Sequence, residues 1–138
     1  MVRGALCLRV VDGHGGWAAG GGRYGRRMPA STFLQVLTTV DDRDRGLELA
    51  RSVVDQRLAA CAQVYGPVAS VYRWESNVEQ ADEWYCVMKT TTACYEPLAA
   101  WIAEHSPYDT PEVIATPITH GSTAYLAWIT AETASVDG

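Results

Sequence analysis

The chain has 138 residues and a mass of 15.0 kDa, with 48% of its residues apolar and 20% charged, which is material for one core and little for a second. Lys and Arg number 11 against 16 Asp and Glu, a net charge of −5 at neutral pH, and this balance argues against nucleic acid as a partner held by its phosphates. The charge is unevenly spread: residues 1–30 carry Arg3, Arg9, Arg23, Arg26 and Arg27 against Asp12 alone, whereas residues 31–138 carry net −9.

Eight of the twelve glycines also fall within residues 1–30, where few side chains are available to bury, so this stretch is expected to be a largely disordered leader ahead of a folded domain over residues 31–138. Arg9 interrupts the apolar residues of the opening stretch, and no apolar run approaches the ~20 residues that cross a bilayer, so no membrane association is expected. The same stretch makes a poor secretory signal; its Arg-rich, acid-poor character leaves room for organelle targeting, and Met28 for a later start, with the cytoplasm as the default location. Cys7, Cys61, Cys86 and Cys94 show no zinc-knuckle spacing and read as structural thiols. Gly13-His14-Gly15-Gly16 and Gly20-Gly21-Gly22 lack the Gly-Lys-Ser/Thr ending of a phosphate loop.

From Ser31 the pattern becomes periodic. Thr32 to Thr39 is rich in β-branched and apolar residues and runs into Asp41-Asp42, which predicts a buried strand followed by a capped helix start. Leu47, Ala50, Val54, Leu58 and Cys61 then recur at helical spacing, predicting an amphipathic helix of about five turns. Two strand segments follow, roughly 62–74 and 78–91, joined at Glu75-Ser76-Asn77 as a hairpin, with Gly66-Pro67 predicting a bulge or strand edge because proline has no amide hydrogen. Leu98, Trp101 and Ile102 place a second helix over 94–105, with Pro97 tolerated near its first turn. Val113 to Thr116 supplies a short strand, and Tyr125, Leu126, Trp128 and Ile129 a final short helix or docked arm.

The resulting order, β-α-β-β-α-β with a tail, is an α+β arrangement: an antiparallel four-stranded sheet with two helices on one face. One sheet face is then left to cover, and Tyr72, Trp74, Trp84 and Tyr85 cluster on a long hairpin. Burial by a protein partner is the economical solution, with identical chains the first candidate. Tyr72, Trp74, Trp84 and Trp128 are accordingly expected in packing or as interface anchors. Net −9 over residues 31–138 argues against the tryptophans serving as nucleobase platforms. No nucleophile has an adjacent base, no paired carboxylates can be assigned and no HExxH spacing occurs, so catalysis is not expected.

Several blocks in order carry a resemblance: Arg57-Leu58-Ala59-Ala60-Cys61, Ser70-Val71-Tyr72-Arg73-Trp74-Glu75, Lys89-Thr90-Thr91, His105-Ser106-Pro107-Tyr108-Asp109-Thr110-Pro111-Glu112, Pro117-Ile118 and Tyr125-Leu126-Ala127-Trp128-Ile129. Over about Thr32 to Ile129 the chain resembles the CutA divalent-cation-tolerance family. The resemblance implies a ferredoxin-like subunit, a tight homotrimer joined through its long hairpins, and binding of copper or another divalent metal. It also implies a metal site built from a cysteine, a histidine and a glutamate, which fall here on Thr38, His105 and Glu112, so the soft ligand is replaced by a hydroxyl. The remaining nitrogen and oxygen donors suit weak Cu(II) or Zn(II) binding.

His105 has a second reading, as a cap on the last carbonyls of its helix packed against Tyr108, and Glu112 can instead satisfy nearby backbone amides. Lys89, Thr38 and Tyr108, with His105 and Glu112, form a candidate polar pocket at a subunit interface. Two functions follow: a trimeric metal-tolerance protein, or a non-enzymatic trimeric scaffold or sensor for a small metabolite or a partner protein.

Overall fold

A computed structural model describes residues 32–133, so the leader expected over residues 1–30 lies outside the described residues. β1 (Phe33–Val40), α1 (Arg43–Asp55), β2 (Cys61–Trp74), β3 (Asn77–Thr91), α2 (Tyr95–His105), β4 (Ile114–Pro117) and α3 (Thr123–Glu132) follow in that order, with a single 3-10 turn (Thr92–Cys94) leading into α2. The strands make one antiparallel sheet in the order β2-β3-β1-β4.

Asp42 starts α1, its carboxylate accepting the amides of Asp44 at 2.6 Å and Arg45 at 3.4 Å. The helix is shorter than its apolar spacing predicts. It ends at Asp55 because the chain reverses at Arg57, whose φ of 60° is left-handed, and the amides of Arg57 and Leu58 turn back to the carbonyls of Val54 and Val53. Leu58 therefore reaches the core from the connecting loop, and Cys61 opens β2. The buried stripe of α1 is Gly46, Leu49, Ala50 and Val53, one step round from the expected face, and Val54 is exposed.

The two long strands meet at a two-residue turn in which Glu75 and Ser76 both have positive φ, between the paired Trp74 and Asn77. This sense of turn matches the twist of the flanking strands. The bulge expected at Gly66-Pro67 is present as a register shift between Tyr65 and Val68. Gly66 is required there by a close approach, since a Cβ at this position would lie 2.7 Å from Cδ1 of Trp84.

Strand register decides which residues share a face, because directly paired residues of an antiparallel sheet lie on the same side. Val36 opposite Met88, Thr38 opposite Cys86 and Val40 opposite Trp84 form the side covered by the helices. Against it pack Leu49 and Val53 of α1 with Leu98 and Ile102 of α2, and Trp84 closes the edge of this core.

The hairpin aromatics do not form a single cluster. Trp84 belongs to the helix-covered face, whereas Tyr85, one residue on, points the other way and lies 5.2 Å from Tyr65. Tyr72 and Trp74 share that second side with Glu83, as their pairing with Glu79 and Asn77 requires. The second side carries α3 at one end: Ser122 caps the helix by accepting the Tyr125 amide at 3.2 Å, and the Tyr125 hydroxyl sits 3.6 Å from Cys61 Sγ. Arg57 donates to the carbonyl of Ala131, and the Cys94 thiol to that of Thr133 at 3.3 Å, fastening the end of α3. Trp128 stays partly exposed on α3, its ring 5.4 Å from Tyr125.

Candidate functional site

The segment between α2 and β4 turns sharply after His105. The Ser106 hydroxyl accepts the amide of Tyr108 at 3.1 Å, and this local turn directs the phenol inward. Tyr108 is buried, and its hydroxyl donates to Oε2 of Glu83 at 2.7 Å. Glu83 is only 3% exposed, so the phenol supplies a hydrogen bond to a carboxylate largely removed from water.

The electrostatics follow from this burial. The Tyr108 phenol is pushed well above its usual range, first by desolvation, then by its bond to Glu83 and the negative charges of Glu83 and Asp41. Glu112 is raised above the ordinary carboxyl value, first by desolvation and then by the charge of Glu83. The bonded pair Tyr108–Glu83, with Glu112 within reach of the Glu83 charge, thus makes an acidic region near the end of β1.

Other candidates from the sequence lie elsewhere. Lys89 is six residues along β3 from Glu83, about 20 Å at the rise of a strand, and donates to Oε1 of Gln63 at 2.7 Å. Its directly paired neighbours are Cys61 on β2 and Gln35 on β1, and Cys61 lies against Tyr125, so Lys89 belongs to the α3 end of the sheet. Thr38 is buried opposite Cys86 on the helix-covered side, and its hydroxyl has no hydrogen-bond partner among the described residues. Within one chain, strand rise and the alternation of faces keep Lys89 and Thr38 apart from Tyr108 and Glu112, so the pocket expected at a subunit interface would have to draw its side chains from neighbouring copies.

His105 occupies the exposed last turn of α2, with its ring stacked on Trp101 at a centroid distance of 3.9 Å and its Nδ1 2.9 Å from the Trp101 carbonyl. A carbonyl only accepts, so Nδ1 carries the hydrogen and the neutral ring offers Nε2 as an acceptor. The capping reading of His105 therefore describes its contacts, with Trp101 in place of Tyr108 as its aromatic neighbour. Among the described residues no group of three or more His, Cys, Asp or Glu side chains is arranged to hold a metal ion.

Glu83 was not singled out from the sequence, where it merges with Glu79 and Asp82 into a charged stretch. Its signal is positional: alternation places it on one face with the half-buried Tyr85 and the buried Val87.

A four-stranded antiparallel sheet covered on one face by two helices, with a long central hairpin, defines a ferredoxin-like α+β protein. Residues 34–132 match the CutA1 divalent ion tolerance protein family, and the chain belongs to that family. It is 39% identical over 101 residues to the divalent-cation tolerance protein CutA of Escherichia coli, matching 73% of this chain and 90% of that one. It is 42% identical over 96 residues to a chloroplastic CutA of Arabidopsis thaliana, covering 70% of this chain but only 53% of that protein's length. Among solved structures, CutA1 from Shewanella sp. SIB1 superposes with a TM-score of 0.74 at 35% identity, covering 76% of this chain and 98% of that one. The chloroplastic relative shows that the family is not confined to the cytoplasm.

Proposed function

We propose that this chain is a homotrimeric, non-enzymatic divalent-cation tolerance protein that binds a divalent metal such as Cu(II) at Glu112, beside the buried carboxylate of Glu83. The observation that carries the metal reading is the acidic cluster itself. Glu83 is held almost out of water by its bond to Tyr108, and Glu112 lies within reach of its charge, so a cation seated there would offset negative charge that the fold has gathered. The donors on hand are carboxylate oxygens, with the imidazole of His105 as the nearest nitrogen candidate in the sequence reading, and this set suits Cu(II) or Zn(II) better than Cu(I). The trimer is supported by a sheet face covered only at one end, by edge strands β2 and β4, and by a hairpin on which Val71 and Val78 are about two-thirds exposed.

Titration calorimetry of the metal-free protein with Cu(II) and Zn(II) tests the metal assignment. Saturable binding that weakens in Glu112→Gln supports it, and binding absent from the wild type, or unchanged in Glu112→Gln, overturns it; His105→Ala reports whether the imidazole takes part. Native mass spectrometry tests the assembly, a mass near three times 15.0 kDa being expected and a persistent monomer at micromolar concentration being the contrary result.

A second reading, a trimeric scaffold or sensor for a metabolite or a protein, is favoured by Thr38. A buried hydroxyl stands where the family resemblance places a thiolate, and no third metal ligand replaces it among the described residues. A ligand that co-purifies with the trimer and stabilises it would support this reading.

A further inference from the structure

A second polar site lies away from the acidic cluster, on the outer side of the helical layer. Between α1 and α2 is a cleft of about 350 Å³ lined by Arg45, Glu48, Leu49, Ser52, Trp101 and His105. The α1 residues follow one another at spacings of three and four, so they form a single stripe facing α2, while Trp101 and His105 are one turn apart on the opposite wall. We propose that this cleft binds a small zwitterion of the amino-acid class, with its carboxylate on Arg45 and its ammonium between Glu48 and His105.

The charges select this ligand. The ion pair of Arg45 with Asp41 runs from Nε at 3.7 Å, and a guanidinium has further N–H donors with which to take a carboxylate. Glu48 makes no ion pair among the described residues, so its carboxylate is available to a cation. A simple anion placed in the cleft meets Glu48, and a simple cation meets Arg45; a molecule carrying both charges satisfies both walls.

The aromatic wall is prearranged. The His105 ring is fixed by its stacking on Trp101 and by the Nδ1 contact with the Trp101 carbonyl, so Nε2 is left as a second acceptor for the ammonium group. Ser52 adds a hydroxyl and Leu49 an apolar floor. The volume lies at the small end of the ~300–1,000 Å³ typical of ligand pockets, which suits a single amino acid better than a nucleotide. The cleft shares no residue with Glu83, Tyr108 or Glu112, and because His105 is also the nitrogen donor considered for the metal, the test is run on the metal-free protein, where its outcome is distinct from that of the Cu(II) titration.

The experiment is an NMR titration of the full chain with L-leucine, L-glutamine and L-phenylalanine, following the Trp101 indole and His105 ring signals. At least one amino acid is expected to produce saturable shifts with a Kd on the order of 1 mM or tighter. Its N-acetyl derivative, an anion, and its methyl ester, a cation, are each expected to bind at least tenfold more weakly, because each lacks one of the two charges. Arg45→Gln and Glu48→Gln should each weaken binding about tenfold, the loss of one charge-assisted contact. Both side chains are exposed, and unchanged amide spectra of the sheet residues check that the variants fold. Absence of saturation by all three amino acids up to about 10 mM overturns the proposal, since weaker binding would not distinguish a site from a surface. Derivatives that bind as well as the parent, or binding retained in both variants, also overturn it.

Discussion

Replacing Tyr108 by Phe removes one oxygen atom and isolates the most buried carboxylate described in the chain. Glu83 is 3% exposed and receives the phenol at 2.7 Å, so Tyr108→Phe leaves Oε2 short of a donor where water has little access. A hydrogen bond to a charged group contributes about 1.5–3 kcal/mol, and the more apolar ring returns only part of that, so a loss of about 2 kcal/mol is expected. With a urea dependence of roughly 2 kcal/mol/M for a domain of this size, the unfolding midpoint should fall by about 1 M. Urea melts at fixed protein concentration measure this, the fixed concentration being essential for an oligomer. Glu83→Gln keeps a carbonyl acceptor for the phenol, and the double variant Glu83→Gln/Tyr108→Phe completes a thermodynamic cycle whose coupling should be about 1 kcal/mol or more. If Tyr108→Phe unfolds within about 0.5 kcal/mol of the wild type, or if the cycle shows no coupling, packing alone holds the phenol and the reasoning fails.

Three further outcomes follow from the same structure. Gly66→Ala should cost about 1–3 kcal/mol, because the added Cβ meets the Trp84 ring at 2.7 Å and the Glu83 carbonyl oxygen at 2.9 Å, and a backbone oxygen cannot swing aside; a calorimetric melt no lower than wild type would refute this. Ile102→Ala removes a fully buried side chain between α2 and the sheet and should destabilise by about 2–5 kcal/mol in denaturant melts. Burial raises the Cys86 thiol from 9.0 to about 11, so the fold favours the neutral thiol; that stabilisation is complete below pH 9 and is lost as pH rises towards about 11. Cys86→Ala should be less stable at neutral pH but show a shallower decline across that alkaline window, and an equal slope in both proteins would count against the assignment.

Much of the fold was legible because alternation and helical spacing are local properties. Phe33–Val40, the hairpin, the second helix and the short fourth strand all fall within a residue or two of where periodicity puts them. The end of α1 was not legible. Leu58 and Cys61 continue the apolar rhythm, while the reversal occurs at Arg57, a residue with no glycine-like signature. The candidate site divides in the same way. Tyr108 and Glu112 stand in a conspicuous Pro-rich block, but their partner Glu83 is 25 positions from Tyr108 and looks like one acid among several.

The sequence alone determined the contrast between a basic, glycine-rich stretch over residues 1–30 and an acidic remainder, the order of the strands and helices, and the family, since composition, spacing and ordered motifs are written along the chain. Only the tertiary structure decided which of the motif residues meet. Strand rise carries Lys89 away from Tyr108, the alternation of faces turns Thr38 into the core, and helical packing sets His105 against Trp101 beside Arg45 and Glu48. The physical reason is that local periodicity specifies an element and its buried face, whereas proximity between charges depends on register and on how the elements cross.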